Sequence, residues 1–452
     1  MKKIIKQPVI GLVFLLFSMT IGCSKKGNLE TPLAGINSNN VHLVPESVAQ
    51  DIAEKFNPGI FLKGTGRNGN KIGTDAISKK IFEGVPGIEH RNSISKMEKL
   101  TDRNGLTAFY AFSFEGKKGF VIVAGDSALR PILAYVPQGE FDGTKVSDHV
   151  KLWIKTTIDD VEVARQGLVD TRKQIRAWKG YINQMSPSET EGKTGYVTNG
   201  LPPPDDDPCA DPNSTYFQEN IIGPLLPTQW GQLDGFNDAL ANASCSTTIN
   251  GRPPTGCVAT AMAQIIRYWQ STRPTATYNY TSMSLNTGNS DVQGLMVDAG
   301  TSVNMGYTCS GSGPVIYPCY PSNHAQNIVN GFRGSVFNYQ FGTYMTYNRA
   351  MDFLVPQGNI GAGRPVIFLG WDVSANAAHC WVADGVLDDI YSWCQDGTLV
   401  GVTYSYFHMN WGWNDYNVGS PTNENGWFSY SSWPTTNFTF HVDNMLIYDI
   451  NP

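Results

Sequence analysis

Residues 255–269 read Thr255-Gly256-Cys257-Val258-Ala259-Thr260-Ala261-Met262-Ala263-Gln264-Ile265-Ile266-Arg267-Tyr268-Trp269. Apolar side chains fall at Val258, Ala261, Met262, Ile265, Ile266 and Trp269. Those steps of three and one trace a single face of an α-helix. Gly256 stands just ahead of that helix and Cys257 in its first turn. The unpaired N–H groups at a helix start carry partial positive charge, which favours thiolate over thiol. Thiolate is the reactive form, so the spacing predicts a nucleophile at Cys257. A buried structural cysteine, or half of a disulfide, is the plainer use of the residue. The glycine–cysteine–helix setting argues for the nucleophile.

Such a nucleophile needs a proton partner and donors for an oxyanion. The backbone N–H of Cys257 is one such donor. His379 opens His379-Cys380-Trp381-Val382-Ala383-Asp384-Gly385, whose alternation predicts a strand. Period two puts His379, Trp381 and Ala383 on one face and Cys380, Val382 and Asp384 on the other. Cys380 is therefore expected to point away from the site. His324, His408 and His441 also lie downstream of Cys257, and a lone histidine is usually structural; the apolar strand setting singles out His379. Asn410, in Phe407-His408-Met409-Asn410-Trp411-Gly412-Trp413, offers an amide oxygen that can accept from an imidazole and fix its orientation. A turn asparagine before Gly412 is its simpler role. Trp411 is placed to shield that hydrogen bond from water, or to pack in the core. Gln232 can donate its side-chain N–H to an oxyanion, although composition alone does not prefer it to Gln229.

The chain has 452 residues, enough for two or three domains. A charged fraction of 16%, a net charge of −6 and the lack of a basic cluster interleaved with aromatics argue against a nucleic-acid partner. No Cys/His spacing matches a zinc site, and nothing demands a metal or cofactor. Lys2, Lys3 and Lys6, then an apolar run from Val9 to Met19, read as an export signal over residues 1–22. The following Thr20-Ile21-Gly22-Cys23 resembles the lipobox of bacterial lipoproteins, in which the cysteine is lipidated. The expected outcome is an exported protein attached to a membrane through Cys23, with ordinary signal cleavage near Gly22 as the alternative. Eight cysteines less Cys23 and Cys257 leave six, room for up to three disulfides in an oxidising compartment. Cys309 with Cys319, and Cys380 with Cys394, are the nearest pairs in sequence, though spacing does not determine connectivity.

Residues 23–42 read as a tether. Residues 43–185 read as an α+β unit, with a helix over Pro45–Phe56, strands over Ala108–Phe114, Gly119–Ala124 and Pro131–Val136, and a helix-rich stretch from Asp148 to Met185. Residues 186–220, rich in proline, aspartate and glycine, read as an exposed linker where cleavage occurs. Residues 221–452 read as one domain, opened by the Cys257 helix and continuing into strands over Pro365–Gly370, His379–Val386, Gly401–Trp411 and Gly426–Tyr430.

Cysteine, histidine, then asparagine is the chain order of papain-type cysteine hydrolases. The blocks Thr-Gly-Cys257-Val-Ala-Thr-Ala-Met-Ala-Gln-Ile, His379-Cys-Trp-Val-Ala-Asp-Gly and His408-Met-Asn410-Trp411-Gly-Trp413, with Pro224-Leu-Leu leading to Trp230-Gly-Gln232, resemble the streptopain family of bacterial cysteine proteases. Residues from Phe109 to Tyr135 resemble that family's inhibitory prodomain. The resemblance implies an α+β, papain-like, two-lobed catalytic domain, in which the cysteine helix packs against an antiparallel sheet carrying His379 and Asn410. It implies a zymogen acting on protein or peptide substrates, with its own prodomain as intramolecular inhibitor. In that pattern Cys257 is nucleophile, His379 its base, Gln232 the oxyanion donor, Asn410 the orienting group and Trp411 its cover. Ala378 replaces a glycine usual in the family, and 414–425 is longer than the family's loop. Two other readings remain at this stage: a surface lipoprotein that binds glycans or peptides through its many aromatic residues without turnover, and a thiol acyltransferase or amidase.

Overall fold

A computed structural model of the chain describes residues 43–57, 91–165, 178, 197–199, 209, 215–246, 248–270, 278–315, 321–348, 352–372, 377–413, 424–431 and 445–452. The expected signal, tether and Cys23, most of the linker, Cys319 and most of the 414–425 loop lie outside them. In chain order the elements are α1 (Glu46–Lys55), β1 (Ile94–Thr101), β2 (Thr107–Phe114), β3 (Phe120–Ala124), β4 (Ile132–Val136), α2 (Asp148–Arg165), β5 (Val197–Asn199) and β6 (Thr215–Ile222). The Cys257 helix α3 (Cys257–Trp269) follows, then α4 (Ser290–Ser302), β7 (Met305–Gly306), β8 (Gly313–Pro314), α5 (Pro321–Arg333), β9 (Phe341–Thr346) and α6 (Leu354–Gly361). The chain closes with β10 (Val366–Asp372), β11 (Ala377–Gln395), β12 (Thr398–Asn410), β13 (Gly426–Ser431) and β14 (Met445–Asn451).

One mixed α+β body results. Its large sheet runs β1-β2-β3-β4-β13-β12-β11-β10-β14-β9, with β6 on β11 and β5 on β6. Every pairing is antiparallel except β5 with β6. The N-terminal strands join the C-terminal ones edge to edge, Trp427 opposite Tyr135 and Phe428 opposite Ala134. Gly426 permits that seam, because a Cβ there would sit 2.5 Å from the Tyr135 carbonyl oxygen.

Strand alternation divides the apolar residues between two cores. Val366, Phe368, Trp381 and Ala383 face the layer that includes α1, α2 and the N-terminal strands. Ile367, Leu369, Cys380 and Val382 face α3, α4 and α5. The Cys257 helix therefore packs on the sheet that carries His379 and Asn410.

Three expectations change. Thr215–Ile222 is a strand paired with β11 along eight register positions, and Val197–Asn199 pairs beside it, so the predicted linker is partly in the sheet. The linker's polar composition concealed this, because β6 gains its order from pairing with β11. The disulfides join Cys209 to Cys394 and Cys245 to Cys309, and Cys380 is a free, buried thiol. Cys380 cannot reach Cys394, because both lie on the extended strand β11 and fourteen residues of strand span about 45 Å. The predicted alternation of β11 holds, but the face holding Cys380 is the one against the Cys257 helix, not the one away from it.

Within the N-terminal half, Arg165 at the end of α2 donates to Asp126 at 2.8 Å and to Asp102 at 2.7 Å, all three buried. Removing the cation leaves two carboxylates without it inside the fold. Arg165→Met should cost about 3–5 kcal/mol of stability, read as a lower urea midpoint. A midpoint unchanged from wild type would show that the triad is not stabilising.

Candidate active site

Gly256 precedes Cys257 with φ 88°, and a Cβ there would lie 2.2 Å from the Met305 methyl and 2.6 Å from the Ser312 carbonyl oxygen. Only glycine brings the chain into the helix at this angle. Cys257 then begins α3. Its sulfur accepts from the backbone N–H groups of Cys257, Val258 and Cys380, the last being the residue after His379 on β11. The thiol is thus set between a helix start and the histidine strand. Cys257 as a residue is partly exposed, yet its thiol is enclosed, and burial pushes it above its ordinary value against the pull of those N–H groups. The helix start expected to favour thiolate is outweighed by desolvation. Cys380 lies alongside, its thiol held well up by burial and then by the charge of Cys257.

A raised thiol holds less thiolate than free cysteine at pH 7, and its reactivity climbs only as pH passes above the ordinary thiol range. Iodoacetamide should therefore label Cys257 of the unprocessed chain more slowly than free cysteine at pH 7, with the rate still rising above pH 9. Peptide mapping of the adduct checks this, and faster labelling than free cysteine at pH 7 would contradict it.

His379 is buried, and its Nε2 donates to the Trp411 carbonyl at 3.1 Å. Its ring lies parallel to Trp381, centroids 5.8 Å apart, and Trp381 meets Trp411 at 5.3 Å. Asn410, expected to orient His379, is bonded to other partners in this structure. Its amide pairs with Gln264 through two 3.1 Å hydrogen bonds, donates to the Thr228 carbonyl and accepts from Gly412 N–H. The reason lies in strand direction: Asn410 sits opposite Val382, three residues along β11 from His379, and it is the next peptide, at Trp411, that reaches the imidazole. Trp411 is buried against Trp381 and Phe428, and its peptide N–H donates to Asn425. Gln232 is buried, its Nε2 on the Gly412 carbonyl at 3.3 Å, and its carbonyl accepts from Thr255, two residues before Cys257.

Sequence reasoning missed Gln264. It lies seven residues beyond Cys257, two turns along the same helix face, and is fully buried. Its Oε1 accepts from Thr228 Oγ1, Trp230 N–H and Asn410, while its Nε2 donates to Asn410. The available signal was a glutamine flanked by Ala263 and Ile265 in a mostly apolar helix. His408 is held by Asp384 at 2.7 Å. The N-terminal half reaches this neighbourhood through Trp153, whose ring contacts Phe428 at 5.1 Å and whose Nε1 donates to the Ser429 carbonyl. Glu424, at the end of the long loop, accepts from Ser147 N–H just ahead of α2.

Comparison with known proteins gives consistent results. Residues 230–419 match the Peptidase C10 family, and residues 42–161 match the Spi protease inhibitor. The thiol protease/hemagglutinin PrtT of Porphyromonas gingivalis is 24% identical over 341 residues, which are 69% of this chain and 33% of that protein. The chain thus spans about a third of that relative's length. A solved fragment of Prevotella intermedia prointerpain A, carrying a cysteine-to-alanine change, aligns with 79% of this chain and 99% of its own at 19% identity and a TM-score of 0.47.

Proposed function

We propose that this chain, a cysteine peptidase that belongs to the peptidase C10 (streptopain) family and carries a Spi-inhibitor-like prodomain, is an exported endopeptidase zymogen whose nucleophile is Cys257. The observation that carries this reading is the seat of the Cys257 sulfur, at a helix start and within hydrogen-bonding reach of the peptide that follows His379.

The arrangement supports a stepwise mechanism. With Nε2 engaged by the Trp411 carbonyl, Nδ1 is the ring nitrogen that takes the Cys257 proton. Ion-pairing with the imidazolium offsets the desolvation that otherwise favours the thiol. The thiolate attacks the scissile carbonyl carbon, and its oxygen becomes an oxyanion held by the Cys257 N–H and the Gln232 amide, which turns from Gly412. The imidazolium returns its proton to the leaving amine as the C–N bond breaks, giving a thioester. Water, deprotonated by His379, then hydrolyses the thioester and restores the thiol. Trp381 and Trp411 screen the histidine from bulk water. Asn410, braced by Gln264, holds the Trp411–Gly412 peptide by accepting from the Gly412 N–H.

The proposal includes export, with lipidation at Cys23 on the strength of the lipobox-like sequence, and processing within 186–220 on the strength of its composition. A cut between residues 199 and 209 would leave the Cys209–Cys394 bridge and β6 with the catalytic half. Incubating the purified protein with casein and a fluorescent amine separates hydrolysis from acyl transfer. New casein N-termini without amine incorporation are expected; amine incorporation in place of cleavage would overturn the peptidase reading.

A further inference from the structure

The β11–β12 hairpin, residues 377–410, contains no lysine or arginine but holds Asp384, Asp388, Asp389 and Asp396. Asp388 and Asp389 each have one carboxylate oxygen, Oδ1, that is buried without a hydrogen-bond partner. Register places Asp389 opposite Tyr404 on one side and opposite Glu219 of β6 on the other. Burial and the Glu219 charge push Asp389 up to about 8, while Arg130 pulls it down. Asp389 is thus a buried carboxyl beside Tyr404, on a hairpin that brings no cation of its own.

The cation comes from elsewhere in the chain. Arg130 lies in the turn between β3 and β4, inside the inhibitor-like segment. Only 1% exposed, its guanidinium lies 4.6 Å from the ring centre of Tyr406 and 4.9 Å from that of Tyr404. Its Nη1 donates to the Ser405 carbonyl at 2.6 Å. Tyr404 and Tyr406 are two residues apart on β12 and so share a face. Two aromatic faces and a carbonyl acceptor suit a planar, delocalised guanidinium far better than a compact ammonium.

We propose that Tyr404, Tyr406, the Ser405 carbonyl and Asp389 form an arginine-binding pocket of the catalytic half. Arg130 is its resident ligand, and an arginine side chain of a protein substrate occupies it once the prodomain has left. The pocket lies away from Cys257, on the hairpin, and would hold a substrate at a distance from the scissile bond. The substrate role rests on the peptidase reading; the pocket itself does not.

Emptying the pocket in the full chain tests its chemistry. In Arg130→Ala, L-argininamide should raise the unfolding temperature saturably, at a half-saturating concentration about tenfold or more below that of L-lysinamide. The chain that keeps Arg130 should not respond in this way, and adding Tyr404→Leu to Arg130→Ala should abolish the response. If Arg130→Ala does not fold, Arg130→Met keeps the stem without the fork and takes its place. Equal responses to the two amides, or an equal response in the chain with Arg130, would overturn the pocket. In processed enzyme, L-argininamide should raise KM for casein several-fold and leave that for a short arginine-free peptide unchanged. An equal effect on both would overturn the substrate role while leaving the peptidase reading intact.

Discussion

Cys257→Ala is expected to lose at least about 10⁴-fold in kcat/KM on a peptide substrate and to remain unprocessed on incubation. The size follows from what the sulfur supplies. Without it there is no thioester, and water must attack the amide directly. The oxyanion donors and substrate contacts that remain account for a residual acceleration only. The change should leave the chain folded, because alanine is well tolerated in a helix, although it removes an enclosed sulfur that accepts from backbone N–H groups. Urea unfolding should place the variant within about 1–3 kcal/mol of wild type and folded in water, so a loss of activity cannot be assigned to unfolding. Proteolysis of a fluorogenic peptide and gel analysis of the incubated chain read both effects. Self-processing by the variant at the wild-type rate would contradict the assignment.

Gln264→Leu should cost about 3–5 kcal/mol of stability and reduce activity at the same time. Leucine matches the side chain in size, so the loss is polar. It removes the acceptor of Thr228 Oγ1 and Trp230 N–H and the partner of the Asn410 amide. Each buried group left unmade costs roughly 1–3 kcal/mol. The same pair ties α3, which carries Cys257, to β12, which leads into the Trp411 carbonyl beneath His379. Asn410→Ala should reproduce much of the loss. The double variant should cost clearly less than the sum, because both changes break one network. Urea unfolding of the four proteins in this cycle measures the coupling. Strict additivity would show that the amide pair does not bind helix and sheet together.

Much of this was legible in the sequence because it was written in local periodicity. The apolar face of α3, the hairpin of β2 and β3, and the alternation of β11 all follow from side-chain spacing, and the Cys257 and His379 blocks stand out for the same reason. What escaped depends on partners distant in sequence. β6 looks like linker because its order comes from β11. Cys394 bonds Cys209 rather than Cys380 because β11 stays extended for nineteen residues, a length no short motif declares. Gln264 and Asn410 meet across 146 positions, and whether an asparagine holds a histidine or braces the next peptide is decided by register rather than composition. The raised Cys257 thiol was equally hidden: a helix start is local, but burial is contributed by the whole fold.

The central claim is that Cys257 and His379 work as a pair once the prodomain is gone. A crystal structure of the processed chain tests it directly. The Cys257 sulfur is expected within about 4 Å of His379 Nδ1, with Nε2 still on the Trp411 carbonyl. A sulfur bonded instead to Cys380, or an imidazole turned out of its reach, would contradict it.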